Sequence, residues 1–203
     1  MANLTYALNC GVGMSYYSVM TNIGDKDTKP TYEAVKPLGE IVEISIDSSQ
    51  DSQKFYAGDR CILQYDNDYK GSGTLTLPSL SPAQKADLLG YKKTADGGYI
   101  RSREKKNIAL MLELHSVNNE TRKEVTDYVT LFNVTVQESQ IQGKTAEDNF
   151  EFSNVQLSFE AETVPHKDYT DFKYIVSDDD ESFNADTFGA IWGKTVPEIT
   201  LAE

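Results

Sequence analysis

Residues 41–47 read IVEISID, and this stretch decides the fold class. Val42, Ile44 and Ile46 are apolar, whereas the residues between them are polar. Successive side chains of a strand point to opposite faces of a sheet, so this period of two predicts a strand with one buried and one exposed face. The polar positions of the predicted strand are Glu43, Ser45 and Asp47.

The same alternation recurs along the chain and predicts a mainly β protein. It appears in miniature at residues 74–77, and residues 125–136 are rich in the Val, Thr, Tyr and Phe that strands favour. Two further apolar faces consist of Ile108, Leu110, Leu112 and Leu114, and of Val155, Leu157, Phe159 and Ala161. In the first of these segments, Glu113 and His115 lie on the opposite face.

One short helix is predicted near residues 82–89. Ser81 suits the N-cap, Pro82 suits the first helical position, and Gln84 is placed to complete a capping box. Gly90 then ends the helix, because glycine adopts the left-handed conformation readily. A helix of two turns is not stable alone, so we expect it to pack against a sheet.

Charge is distributed unevenly along the 203 residues. The chain has 19 basic and 32 acidic residues, and this excess argues against a general nucleic-acid binder, which needs a basic face to neutralise phosphates. Residues 91–106 carry six bases and two acids around the Asp96-Gly97 turn, which predicts a projecting basic hairpin. Residues 160–186 carry nine acids and two bases.

No catalytic chemistry emerges from the motifs, so we predict no enzyme, no cofactor and no metal site. The chain has only two histidines, His115 and His166, and no Gly-x-Ser-x-Gly motif. Residues 66–71 begin like a calcium loop, but Lys70 and a later Leu77 occupy positions that need oxygen ligands. Two cysteines are too few for disulfide bonds to stabilise a domain of this size, so we expect free thiols in a reducing compartment. The sequence shows no apolar run long enough to cross a membrane and no signal sequence, so we expect a soluble protein made in the cytoplasm.

The order of the segments resembles the major tail protein, or tail-tube protein, of long-tailed bacteriophages, particularly those of Gram-positive hosts. The matching elements lie within about residues 11–165. They are Gly13 with Tyr16-Tyr17, residues 39–46 (GEIVEISI), 55–59 (FYAGD), 73–77 (GTLTL), 88–91 (LLGY), 145–148 (TAED), 152–161 and 163–165 (TVP).

This resemblance implies two packed antiparallel sheets, as in a β-sandwich or barrel-like tail-tube fold, with a flanking helix. It implies residues 1–165 as the tail-tube domain. Within that domain, the polar residues at about 18–37, with Gly24 and Pro30, predict a long connecting arm, and the basic hairpin is predicted at about 91–106. Residues 166–203 are then an acidic C-terminal arm of the same domain. Six copies are expected to form a ring, and the rings to stack into a hollow tube.

The implied function is that of a structural virion protein, assembled in the host cytoplasm and located in the virion tail. DNA is expected to pass through the tube without specific binding. Tape-measure, tail-tip and tail-terminator proteins are the expected partners, besides other copies of the chain, and no membrane is involved.

Two hypotheses about surfaces follow. The exposed residues Glu43, Ser45 and Asp47 are candidates to face the lumen, where negative charge repels DNA; the alternative is that they meet outside solvent. Opposite charges are candidates to pair between subunits, because complementary fields fix orientation and register. The candidate pairs are Lys92, Lys93, Arg101, Arg103, Lys105 and Lys106 with Asp178, Asp179, Asp180 and Glu181.

Two other functions are compatible with an all-β chain, since fold alone does not fix function. One is a carbohydrate-binding or adhesin module, although the single Trp192 and the spacing of the tyrosines indicate no aromatic platform. The other is the tube subunit of a contractile secretion system, which shares the ring architecture.

Overall fold

A computed structural model describes residues 7–57, 60–118, 121–138 and 154–200. The strands in this part are β1 (Ala7–Asn22), β2 (Thr31–Tyr32), β3 (Lys36–Glu40), β4 (Glu43–Ser49), β5 (Ser52–Ala57), β6 (Arg60–Asp66), β7 (Lys70–Leu77), β8 (Tyr91–Lys93), β9 (Tyr99–Arg101), β10 (Asn107–Asn118), β11 (Glu124–Glu138), β12 (Val155–Glu162) and β13 (Lys173–Ser177). The helices are α1 (Pro82–Leu89) and α2 (Ala185–Ile191). Residues 58, 59, 145–148, 152 and 153, which contribute to the resemblance, lie outside the described residues.

A large antiparallel sheet dominates the molecule and confirms the predicted mainly β fold. Its strand order is β2-β1-β10-β11-β12-β7-β4, with β3 paired to β1 and β13 paired to β11. The order has two ends, so the described strands do not close into a barrel. The hairpins β5–β6 and β8–β9 each form a separate two-stranded sheet.

The two halves of the large sheet pack against each other through one apolar core. Leu75 and Leu157 from β7 and β12 line the same small cavity as Leu110 of β10 and Leu88 of α1. The predicted apolar faces of β10 and β12 are buried there, as the alternation requires. Burying each such side chain contributes roughly 1.5–3 kcal/mol. Val42, in contrast, precedes β4 and is exposed, so the buried face of that strand consists of Ile44 and Ile46.

Helix α1 begins and ends as its sequence predicts. The Ser81 hydroxyl accepts a hydrogen bond from the Gln84 amide at 3.2 Å, and the Ser81 amide donates to the Gln84 side chain at 2.8 Å. Gly90 follows with φ of 69°. The amide of the Gln84 side chain also donates to the Leu38 carbonyl at 2.9 Å, which fixes the helix against β3.

Charged contacts hold the other side of α1. Asp87 accepts from Lys36 at 2.7 Å and from the Tyr17 hydroxyl at 3.1 Å, and Lys106 approaches it at 3.5 Å. Burial alone raises the pKa of the Asp87 carboxyl, but the hydrogen bonds from Lys36 and Tyr17 and the charges of Lys36 and Lys106 together leave that pKa below its ordinary value. Lys85 binds the buried Glu138 carboxylate at 3.3 Å.

The segment at residues 18–37, where the sequence indicated an arm, folds back along β1. It contains the end of β1, all of β2 and the start of β3. The Ser18 hydroxyl donates to the Glu33 carbonyl at 2.6 Å, and the Glu33 amide donates to the Val19 carbonyl at 2.8 Å. One side-chain and one backbone hydrogen bond therefore tie this segment to β1.

The C-terminal segment covers the second face of β10 and β11. Strand β13 pairs with β11, and Tyr169 and Val164 pack on Phe132 in a second apolar cluster. Met111 and Phe132 point away from the first core yet are fully buried. Helix α2, which the sequence analysis did not predict, lies in this segment.

Candidate functional site

A polar face extends across β4, β7 and β12. Antiparallel register places Glu43 beside Thr76 and Gln156, Ser45 beside Thr74 and Ser158, and Asp47 beside Ser72 and Glu160. We call these nine residues the acidic sheet face. It contains three carboxylates and no base, and it is the reverse of the face that enters the core.

The structure thus brings Glu43, Ser45 and Asp47 together on one surface, as their alternation requires. The Ser45 and Thr74 hydroxyls lie 2.9 Å apart, and a shallow concavity is lined by Asp47, Ser72 and Glu160 among others. The next cross-strand pair on the same side of the sheet is Lys70 with Glu162, and the Lys70 ammonium lies 3.9 Å from the Glu162 carboxylate. The contributions of β7 and β12 were not named from the sequence, although Thr74 and Ser158 alternate with the apolar residues there.

The β5–β6 hairpin projects from the body with its described side chains exposed. Phe55 and Leu63 are paired across the hairpin and are 64% and 60% exposed. Ile62 and Tyr65 are similarly exposed. A two-stranded hairpin is marginally stable in water, and clustered exposed apolar side chains mark an interaction surface. The sequence analysis used residues 55–59 only for the resemblance and missed this surface.

The basic hairpin, residues 91–106, contains β8 and β9. Its turn is closed by a 2.8 Å hydrogen bond from the Thr94 amide to the Gly98 carbonyl, with Gly97 at a φ of 85°. The Tyr91 hydroxyl donates to the Glu138 carboxylate at 3.3 Å, which ties the base of the hairpin to the end of β11. Lys92, Lys93 and Arg101 lie on its strands, and Arg103, Lys105 and Lys106 follow them.

The predicted basic and acidic groups do not pair with one another in the ion pairs of a single copy. Lys92 pairs with Glu104 at 3.0 Å, and Lys106 approaches Asp87. On the acidic side, Asp179 lies 3.8 Å from Lys123. Among the ion pairs between described residues, none involves Lys93, Arg101, Arg103, Lys105 or Glu181.

Local hydrogen bonds shape the acidic turn at residues 178–181. The Asp178 carboxylate accepts from the Thr126 amide at 3.0 Å, and the Asp178 amide donates to the Thr126 carbonyl at 3.1 Å. Asp180 accepts from the Ser182 amide and hydroxyl, and these bonds lower the pKa of its carboxyl. The turn is therefore fixed to the start of β11.

A cleft of about 350 Å³ separates β13 from α2. Its wall includes Ile175, Phe183, Phe188 and Ile191, and Asp180 stands at its rim. We call it the β13–α2 cleft. Ile175 is 52% exposed, so an apolar surface is left open to solvent beside the acidic turn.

Aromatic packing holds α2 in place. The Trp192 ring lies 4.9 Å from Tyr128 and 5.5 Å from Phe188, and its indole N–H donates to Glu113 at 2.8 Å. The ring and the N–H of Trp192 therefore both have partners within the same chain. A flat aromatic platform of the kind that binds sugars is therefore not formed by this residue.

The histidines and the other residue types that bind metal ions are dispersed. His166 is buried, and its ring nitrogen accepts from the Asp168 amide at 3.2 Å, whereas His115 lies on β10 beside Thr126. In the ranges that the structure covers, no three His, Cys, Asp or Glu residues are grouped to hold a metal ion. No helix within those ranges is long and apolar enough to cross a membrane.

Comparison with known proteins decides the family. The family model for phage tail tube proteins matches residues 48–191, more than two thirds of the chain. The chain belongs to the phage tail tube protein family. The resemblance found in the sequence is thereby confirmed, while the Gram-positive host stays a prediction. No curated protein sequence matches the chain significantly.

The matched range of this tail tube protein includes most of the surfaces described above. It contains β5–β6, the basic hairpin and the acidic turn, and it ends with α2. Family membership implies a structural component of the virion tail that associates with its own copies and with other tail components.

Proposed function

We propose that this tail tube protein assembles into rings that stack into a hollow tube, through which DNA leaves the virion. Six copies per ring is the number that the family resemblance implies. The protein has no catalytic role in this proposal. The observation that carries it is the β5–β6 hairpin, which a single copy leaves exposed with large apolar side chains on it.

The hairpin needs a partner for a physical reason. Phe55 and Leu63 would each gain roughly 1.5–3 kcal/mol from burial, and the same contacts would offset the entropy of ordering two strands. A second copy of the chain is the natural partner, since tube formation supplies identical neighbours at fixed positions. Such a contact is heterologous, so it can close a ring or continue along a stack.

The end of the large sheet offers a second contact. Among the described strands, β4 pairs with β7 on one side and ends the strand order, so its other edge is available to present backbone groups to a neighbour. A neighbouring strand can satisfy those N–H and C=O groups by continuing the sheet.

We propose that the acidic sheet face lines the channel. Glu43, Asp47 and Glu160 carry negative charge on a surface of serine and threonine hydroxyls, with no base among the nine residues. Such a wall repels phosphates within a Debye length of about 8 Å at physiological salt and gives passing DNA no site to bind. The alternative is that this face meets solvent outside the tube.

The remaining expectations follow from the family. Assembly takes place in the host cytoplasm, and the tape-measure, tail-tip and tail-terminator proteins are the other partners. The carbohydrate-binding function is not favoured, because Trp192 packs internally. A tube subunit of a contractile secretion system is not favoured either, since the matching family is that of phage tails.

Negative-stain microscopy and light scattering of the purified chain test the proposal. We expect rings or tubes from the wild type, and particles no larger than a few copies from a Phe55→Ser, Leu63→Ser variant. The control is Ile23→Ser, which changes an isoleucine that is exposed outside the hairpin. A wild-type chain that stays a compact monomer at high concentration, or a hairpin variant that assembles normally, contradicts the proposal.

A further inference from the structure

We propose that the basic hairpin of one copy docks into the β13–α2 cleft of a second copy, with Ile100 against the apolar wall and the bases against the acidic turn. This proposal rests on the proposed self-assembly and identifies two surfaces through which copies of the chain bind each other. In a single copy, Ile100 on the hairpin and Ile175 in the cleft are both exposed to solvent.

The cleft has both an apolar wall and an acidic border. Ile175, Phe183 and Phe188 form part of the wall. Residues 178–186 beside it contain five acids and no base. An occupant must therefore be apolar at its centre and positively charged at its margins.

The basic hairpin has that composition. Ile100 is 63% exposed and stands opposite Lys92 on one face of the hairpin, while Lys93 stands opposite the exposed Tyr99 on the other. Arg101 follows directly. The hairpin therefore presents an exposed apolar side chain with basic residues next to it in sequence and across the strand pair.

One copy cannot bring its own hairpin to its own cleft. The hairpin is tied to Glu138 at the end of β11 through Tyr91, and the acidic turn is tied to Thr126 at the start of the same strand. The two anchors are twelve positions apart on β11, or about 40 Å along the strand. The partner of each surface must therefore be another molecule.

The resulting contact runs head to tail. A copy that offers its hairpin to one neighbour still has an empty cleft for the next, so the contact propagates rather than stopping at a dimer. The two anchors, Thr126 and Glu138, both lie on β11, which pairs with β10. This pairing keeps the distance between the hairpin and the cleft fixed.

Disulfide cross-linking tests the docking directly. In a Cys10→Ser, Cys61→Ser background, the pair Ile100→Cys with Ile175→Cys should form a ladder of covalent multimers on mild oxidation. The matched control pairs Ile100→Cys with Ile23→Cys, another exposed isoleucine. It should give at most the dimer that two hairpin cysteines can form.

The outcomes separate this proposal from the proposed function. A ladder from the first pair alone supports the docking. Tubes without a ladder overturn the docking and leave the proposed function standing. A chain that neither assembles nor cross-links contradicts both.

Charge reversal gives a second, independent readout. Lys92→Glu, on the face of Ile100, with Arg101→Glu beside it should raise the protein concentration at which tubes appear by about tenfold, and adding Asp179→Lys with Glu181→Lys should restore most of the loss. The control, Lys167→Glu with Lys194→Glu, makes the same charge change elsewhere and should shift that concentration less than twofold. Equal losses in test and control, or no restoration, overturn the docking.

Discussion

The indole nitrogen of Trp192 donates a 2.8 Å hydrogen bond to the Glu113 carboxylate. Glu113 lies on β10, so this bond joins the C-terminal segment to the centre of the large sheet. The other Glu113 oxygen accepts from the Met14 amide at 3.2 Å. A single carboxylate therefore connects β1, β10 and the end of α2, and it has a partner for each oxygen.

Removing the indole should detach α2 from the sheet. We expect Trp192→Ala to lower the free energy of unfolding by about 3 kcal/mol, because the ring packs on Tyr128 and Phe188. Trp192→Phe should cost about 1 kcal/mol, since it keeps the packing and loses the hydrogen bond. Urea unfolding followed by circular dichroism measures both. A Trp192→Phe variant as stable as the wild type contradicts a role for the bond to Glu113, and equal losses for the two variants contradict a role for the packing.

Asp87 should make stability depend on pH. Its folded-state pKa is below the ordinary value, so its contribution is present above about pH 4 and is lost as pH falls through the folded pKa. Asp87→Asn should therefore lower the unfolding free energy by about 1–3 kcal/mol at pH 7 and by little near pH 2. The control is Asp51→Asn on an exposed residue. A loss independent of pH contradicts the prediction.

Gly73 should not tolerate a side chain. A Cβ atom there would meet the Ser45 carbonyl and the Phe159 ring, and the carbonyl belongs to the backbone of β4 and cannot rotate away. Gly73→Ala should cost about 1–3 kcal/mol of unfolding free energy and raise the concentration needed for assembly. Gly11→Ala, at a strand position with open space around it, is the control. Thermal unfolding of both variants distinguishes them.

Reversing charge on the acidic sheet face should affect DNA and not assembly. Asp47→Lys with Glu160→Lys should leave tubes intact in micrographs while the tubes retain double-stranded DNA at low salt and release it at high salt. Genome ejection should be impaired in virions that carry the variant. The control, Asp25→Lys with Asp27→Lys, changes exposed acids elsewhere. Normal ejection together with no DNA retention indicates that this face meets outside solvent.

Local patterns determined the parts of the fold that could be predicted. The alternation around Ile44 and the cap at Ser81 depend on near neighbours, and the structure agrees with both. The C-terminal layer escaped prediction because it depends on contacts across the chain. The run of apolar residues at 108–112, with Ala109 and Met111 buried on the second face, was the available signal for a strand covered on both sides.

The candidate surfaces were predictable to different degrees. Glu43 and Asp47 share a face because a strand has a period of two, so their juxtaposition followed from spacing alone. The cleft beside Ile175 did not follow, since it requires the position of α2 relative to β13. The exposure of Phe55 could not be predicted either, because large apolar side chains are usually buried.

Strand β11 has a further consequence if the hairpin and the cleft dock as proposed. The acidic turn is anchored at Thr126 and the basic hairpin at Glu138, so the number of β11 residues between these two anchors would set the spacing of successive subunits. Two residues inserted midway, which preserve the inward and outward alternation, would lengthen each step by about 7 Å. Under that docking, the repeat distance between subunits would be encoded in the backbone of one strand.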